Sequence, residues 1–236
     1  MKTIVISDLH NRVNWIEEYL SSVEYDKVIF LGDYFDDYDD TLIDIKRSAE
    51  WLKQSLQKTR RIHLLGTHDM WYRYPSNRHL VASGNTVKKS EVINKILDKE
   101  DWNKLKFYYF EQTFLLTHAG LHPHFVKGIK DGEKIYFLGL LIEKALQEIK
   151  RGNIDPILDA GIARGGLNPF GGITWLDWND EFEVIPNLNQ IVGHTQRKAP
   201  IELITKNSKN YCIDTQNRHI GLIVNNNFYY ENNKNI

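Results

Sequence analysis

Aspartate and histidine recur in this chain at the ends of short apolar runs. Ser7-Asp8-Leu9-His10 follows Thr3 to Ile6, Gly32-Asp33-Tyr34-Phe35-Asp36 follows Lys27 to Leu31, and Gly66-Thr67-His68-Asp69 follows Arg61 to Leu65. Two later segments, Leu116-Thr117-His118-Ala119-Gly120 and Val192-Gly193-His194-Thr195, end the same way. Carboxylates held a few ångströms apart repel one another, and they either shift their pKa values or bind a cation. Mixed imidazole and carboxylate donors suit borderline divalent ions such as Mn, Fe and Zn better than Ca or Mg. So many donors point to two ions rather than one, and a pair about 3.5–4 Å apart activates water and clamps a phosphoryl group. Taken singly, His10 or His118 reads as a hydrogen-bonded core residue, and Asp33 or Asp36 as a cap or turn residue. Five polar strand ends in one chain are not explained that way.

The elements that must bring these residues together follow from periodicity. Thr3–Ile6, Lys27–Leu31 and Arg61–Leu65 read as buried strands. Val13, Ile16 and Leu20 form a short helical stripe between the first two. Leu42, Ile45, Ala49, Leu52 and Leu56 form a longer one between the second and third. Alternating strands and helices with short connections imply a parallel sheet, whose strand ends are where ligands bind. Asp8, His10, Asp33, Asp36 and His68 should therefore converge. Further on, 75–85 reads as an irregular insertion and 87–97 as a helix. Residues 106–110 and 113–117 read as a hairpin turning at Glu111-Gln112, and 135–151 as a long helix. Strands are predicted at 190–193, 201–205, 211–214, 220–224 and 228–230, with a tight turn at Asn225 to Asn227. No repeat or linker interrupts residues 1–236, which predicts one domain.

Composition narrows the class. The chain has 236 residues, 30 Lys+Arg against 31 Asp+Glu, nine histidines and one cysteine. A single cysteine, Cys212, forms no intrachain disulfide and is expected in the core. No apolar run approaches the roughly 20 residues of a membrane helix. Thr3–Ile6 is too short for a signal peptide, and no basic excess favours general nucleic-acid binding. A cytoplasmic enzyme or binding protein is the expectation.

Asp8-x-His10, Gly32-Asp33-x-x-Asp36, Gly66-Thr67-His68-Asp69, His118 within Thr-His-Ala-Gly and Gly193-His194-Thr195 together resemble the calcineurin-like metallophosphoesterase superfamily. The Thr-His-Ala-Gly-Leu and Val-Gly-His-Thr segments look most like its branch of Ser/Thr protein phosphatases and diadenosine tetraphosphatases. The resemblance runs from about Thr3 to Asp214. It implies an α/β fold, a four-layer α-β-β-α sandwich of two mixed sheets flanked by helices, with the metal site at the C-terminal ends of the strands. It also implies a phosphate-ester hydrolase using two divalent ions, Mn2+, Fe2+/Fe3+ or Zn2+. Asp8 and His10 would hold the first ion, Asp33 would bridge, and His118 and His194 would hold the second. His68 would be the general acid, oriented by Asp36, while a hydroxide bridging the ions attacks phosphorus in line. The substrate would be a phosphorylated small molecule, a nucleotide or a phosphoprotein.

Two departures qualify the resemblance. Thr67 stands where the family usually has an asparagine that ligates the second metal, so that ion should be held more loosely. Asp37, within the acidic run Asp36-Asp37-Tyr38-Asp39-Asp40, replaces a phosphate-gripping arginine. Arg164, in the glycine-rich loop 164–172, or Arg12 would then grip phosphate, since a bidentate contact needs a guanidinium fork. Trp175, Asp177 and Trp178 offer a wall for a nucleobase, and His122 and His124 follow the fourth motif closely enough to lie near the site. The leading expectation is a phosphomonoesterase acting on a protein or a small molecule, the acidic run at Asp37 arguing against a phosphoprotein phosphatase of ordinary design. The same machinery would also serve a dinucleoside polyphosphate hydrolase, and the Thr67 departure leaves room for a degenerate metal-binding protein without turnover.

Overall fold

The computed structural model describes residues 1–235. Strands β1 (Lys2–Ile6), β2 (Lys27–Phe30) and β3 (Arg61–His63) pair in parallel, linked by α1 (Ile16–Ser22) and α2 (Leu42–Ser55). α2 starts where Thr41 and Asp44 cap each other's backbone N–H groups. Its Ile45, Ala49 and Leu52 stripe is buried. α3 (Thr67–Arg73), α4 (Val87–Ile96) and α5 (Lys99–Lys104) lead into the hairpin β4 (Tyr108–Glu111) and β5 (Phe114–Thr117). α6 (Lys134–Lys150) follows, then β6 (Asn189–Val192), β7 (Ile201–Ile204), β8 (Lys209–Cys212), β9 (His219–Val224) and β10 (Asn227–Asn232). One sheet has the order β10-β9-β1-β2-β3 and the other β4-β5-β6-β8-β7. Both are mixed: β9 and β10 run antiparallel in the first, β4 and β7 in the second.

Strand alternation builds the layers. Val5, Ile29, Leu31, Phe114, Leu116, Ile191, Tyr211, Ile223 and Phe228 pack together between the sheets. Their neighbours Ile4, Ile6, Val28, Phe30 and Leu115 face the other way and pack with helix residues such as Ile16, Ala49, Leu138 and Ala145. The expected α-β-β-α sandwich is what forms. Cys212 is buried with Val192 and Trp178, as expected of a core thiol.

Element ends differ from the sequence reading in specific ways. α3 is a helix where only motif residues were foreseen, because the Asp69 carboxylate accepts the Gly66 N–H and caps it. α5 was not foreseen either; the reciprocal cap of Asp98 and Asp101 starts it. Within 75–85 the one regular feature is a short 3-10 turn, Arg78–Leu80. β8 begins two residues earlier than expected. The turn between β9 and β10 is made by Asn225 and Asn226, both left-handed (φ 49° and 63°).

His63, which carries no chemistry in the sequence reading, is a core histidine. Its ring stacks on Phe30 with centroids 4.6 Å apart, and its nitrogens lie 3.0 Å from the Tyr34 and Ser55 hydroxyls. Burial, reinforced by the Arg61 charge, pushes its pKa down to about 3 from 6.5. The folded state thus keeps the imidazole neutral while the unfolded chain takes up a proton below pH 6.5, so this group removes stability as pH falls from 6.5 toward 3. Urea unfolding of wild type and His63→Gln at about pH 7.5 and about pH 5.5 should show wild type losing about 1.4 kcal/mol more than the variant. Equal losses would mean that the ring is not held neutral.

Candidate active site

The chain turns back sharply at the ends of the parallel strands. Asp8, His10, Asn11, Asp33, Asp36 and His194 all have left-handed backbone, with φ of 28°, 41°, 63°, 52°, 66° and 65°. Asn, Asp and His enter this region more readily than other side chains, yet each such residue still costs on the order of 1 kcal/mol. The turns bring N–H groups inward: His194 N donates to Asp8 Oδ1 at 2.9 Å and His10 N to the Asp33 carbonyl at 2.8 Å. A Cβ on Gly32, itself at φ 107°, would collide with the Gly66 backbone, and one on Gly66 would collide with the Asp33 carboxylate. These glycines let β2 and β3 deliver Asp33 and His68 side by side.

Two groups of donors result, each with its ligand atoms within 4.8 Å of one another: His10, Asp33 and His68, and Asp33, His118 and His194. Asp33 belongs to both. His118 Nδ1 lies 2.9 Å from the Leu31 carbonyl and His10 Nδ1 2.8 Å from the Asp36 carbonyl. A carbonyl only accepts, so each Nδ1 carries the proton and each Nε2 is left to face the site. His118 Nε2 is 3.1 Å from His194 Nδ1 and 3.3 Å from Asp33 Oδ2. Donors about 2.1 Å from one ion lie about 3.0–3.4 Å apart, so this spacing fits a divalent cation. Asp8 stands outside both groups. Its Oδ1 is bonded to the His194 backbone, and its Oδ2 is buried with no partner.

The electrostatics are those of a cluster short of positive charge. Burial, then the charges of Asp214 and Asp33, raise the Asp8 pKa well above the ordinary value. Burial also opposes ionisation of Asp33, but the His118, His68 and His10 charges outweigh it and hold its pKa well below normal. For His118 burial is again outweighed, chiefly by Asp33 and Asp8, and its pKa rises to about 9. Burial and the charges of His118 and Arg164 push His194 down.

Around this centre lie the other expected residues. His68 Nδ1 is 3.3 Å from Asp36 Oδ2, and the His68 backbone N–H donates to Asp33 Oδ1. Thr67 turns its hydroxyl to the Thr174 carbonyl as a donor. Arg164 lies 2.8 Å from Asp177 and donates to Thr195 Oγ1, beside His194. Arg12 pairs with Asp37 at 2.8 Å, on the wall of a cleft of about 630 Å³ that opens beside His10 and also includes Tyr38 and Arg47.

Some expectations are corrected. Trp178 is buried and stacked on Phe182 at 4.0 Å, and Asp177 holds Arg164, so of that set Trp175 alone faces the donors, 6.0 Å from His194. His122 stacks on Phe170 at 3.8 Å and caps the turn at His124, which props the glycine-rich loop rather than entering the donor cluster. Sequence reasoning also missed Asp69, which accepts the N–H groups of Asp33, Tyr34 and Gly66, and Asp214, buried near Asp8. It missed Tyr72, Asn85 and Lys89, which surround Asp36. Asp69 carried a signal, since it directly follows the third-motif histidine. Tyr72 follows that motif by three residues with no signal of its own, and Asn85, Lys89 and Asp214 lie outside the motifs.

The family model for calcineurin-like phosphoesterase matches residues 1–198. No curated protein matches the chain. Among solved structures, a cold-active protein-tyrosine phosphatase of the psychrophile Shewanella sp. is 14% identical, with 97% of this chain and 77% of that one covered at a TM-score of 0.58. A metallophosphoesterase of Sphaerobacter thermophilus is 14% identical (99% and 89% covered, TM-score 0.51). A protein serine/threonine phosphatase of Saccharomyces cerevisiae is 13% identical (98% and 79%, TM-score 0.54). At these identities the structures share the fold. No helix among the described residues is long and apolar enough to cross a membrane.

The protonation state of His118 sets a measurable property. With its pKa near 9, the cation-free protein carries a proton there at neutral pH, and a cation needs that lone pair. Mn2+ affinity should therefore climb with pH toward about 9, and calorimetry at about pH 7 in buffers of different ionisation heat should report release of about one proton per protein. A binding enthalpy that does not depend on the buffer would refute this.

Proposed function

The chain belongs to the calcineurin-like phosphoesterases, metal-dependent hydrolases of phosphate esters, and from that premise we propose that it is a phosphomonoesterase working with two divalent cations. The observation that carries this reading is the donor cluster centred on Asp33, with His10 and His68 on one side, His118 and His194 on the other, and His68 held by Asp36. Asp8, His10 and Asp33 would hold one cation. Asp33, His118 and His194 would hold the other, with Thr67 a weak fourth donor. When bound, such a pair acidifies a water molecule and offsets charge on the phosphoryl oxygens. His68 keeps Nδ1 toward Asp36, which leaves Nε2 to give its proton to the departing oxygen. Arg164 has its guanidinium held by Asp177 and Thr195, next to His194, and would grip the phosphoryl group. Mn, Fe and Zn all suit these donors.

A dinucleoside polyphosphate is the second substrate reading. Asp37 in place of a gripping arginine favours it, as does Trp175, which faces His194 and offers a stacking surface. The two readings separate on products: phosphate from a phosphopeptide, or a nucleotide from the dinucleoside tetraphosphate. The intact His68–Asp36 pair argues against a degenerate binding protein.

Two experiments test this reading. Mn2+-dependent release of phosphate from a phosphoserine peptide, whose alkoxide needs a proton to leave, should fall by about 100-fold or more in His68→Ala with the fold intact; activity retained in that variant would remove His68 from the mechanism. Thr67→Asn should lower the Mn2+ concentration for half-maximal activity by about tenfold, the scale on which changes around a metal site move affinity. Superimposable Mn2+ titrations would show that Thr67 does not weaken the second site.

A further inference from the structure

Lys89, on α4 and far from every motif, ties together two loops of the site. Its Nζ donates to Asp36 Oδ1 at 2.8 Å, to the Gly84 carbonyl at 3.0 Å, and lies 2.8 Å from Asp40 Oδ1. Only 11% of the side chain is exposed, against 2% for Asp36 and 6% for Asp40, so this is a desolvated bridge between two carboxylates. Asp40 in turn accepts from Asn11 Nδ2 at 3.0 Å, next to His10, and from Asp37 N at 3.2 Å. Tyr72 shares Asp36 Oδ1 with Lys89. That leaves Oδ2 for His68 Nδ1, and Asn85 Nδ2 closes the arrangement on Oδ2 and the His68 carbonyl, at 2.6 and 3.2 Å.

We propose that Lys89 is a positioning residue for proton donation: by pinning Asp36 Oδ1 and drawing Asp40 to it, Lys89 fixes Asp36 Oδ2 against His68 Nδ1 and so aims His68 Nε2 at the leaving group. A carboxylate free to rotate would offer His68 either oxygen or neither. Without the ammonium, Asp36 and Asp40 would also repel each other and spread the 36–40 loop. The inference rests on the phosphomonoesterase reading. In that reaction the ester P–O bond breaks, its oxygen takes the Nε2 proton, and water supplies the new P–O bond. The proton that water loses returns to His68 through solvent.

A role in proton donation differs from a merely structural one in its dependence on the leaving group. The alkoxide of phosphoserine needs a proton, whereas para-nitrophenolate leaves without one. Wild type, Lys89→Met and Lys89→Arg are to be compared with Mn2+ on a phosphoserine peptide and on para-nitrophenyl phosphate, alongside thermal unfolding and Mn2+ stoichiometry. Lys89→Met should lower kcat on the phosphopeptide about 10- to 100-fold and on the nitrophenyl ester less than about threefold, with KM little changed on either. Lys89→Arg, which keeps a charged donor, should recover most of the loss. Equal losses on both esters, or no loss, in a folded protein of unchanged Mn2+ stoichiometry would overturn the proposal. If Lys89→Met does not fold, Lys89→Gln answers the same question: a loss confined to the phosphopeptide supports the role and an even loss refutes it. Wild-type inactivity on both esters overturns the phosphomonoesterase reading itself and takes the role of Lys89 with it.

Discussion

Asp8, Asp33, Asp36, Asp69 and Asp214 are all buried at the ends of the strands, and removing carboxylates from water is costly unless donors replace it. Much of the local architecture answers that demand. Asp69 takes three backbone N–H groups, Asp8 takes one from His194, Asp33 one from His68 and Asp214 one from Gln216. Backbone donors can face inward only where the chain reverses at the strand end. The left-handed residues at positions 8, 10, 33, 36 and 194 accomplish that reversal. Their strain is the local cost of solvating carboxylates with backbone.

The frame that tolerates this strain is the apolar layer between the sheets. Burial there contributes roughly 25 cal/mol per Å² and is indifferent to direction. The directional information comes from hydrogen bonds that cross between sheets. Ser7 Oγ donates to the Ile213 carbonyl, and His118 Nδ1 donates to the Leu31 carbonyl at the end of β2. The second bond fixes the His118 tautomer and ties the sheets together at once. The separation between Asp33, on the first sheet, and His118 and His194, on the second, is therefore set by the same packing that holds the fold.

Residues that carry their own local signal could be read from the sequence. The five polar strand ends were legible because a buried strand has no use for Asp8, His10, Asp33 or His118. The stripe Ile45, Ala49, Leu52 showed α2 by period alone. What could not be read depends on contacts between distant segments. Lys89 looks like any lysine of an amphipathic helix until α4 packs near Asp36. Trp178 and Trp175 are alike in sequence, yet one stacks on Phe182 while the other faces His194. α3 stayed hidden because Thr67, His68 and Asp69 read as chemistry, and the carboxylate that caps the helix is also the one that orders the turn after β2.

The acidic run 36–40 shows how charge that looks redundant in sequence becomes differentiated in space. Asp36 orients His68, Asp37 holds Arg12, Asp40 meets Lys89, and Tyr38 between them projects wholly into solvent. Both candidate phosphate-gripping arginines are thus already engaged by carboxylates. An Arg–carboxylate pair holds the guanidinium still, which favours a geometric fit to phosphate but lessens its net attraction for an anion. Under the proposed phosphomonoesterase reading Arg164, with Asp177 behind it and His194 beside it, would orient a phosphoryl group that bound cations attract.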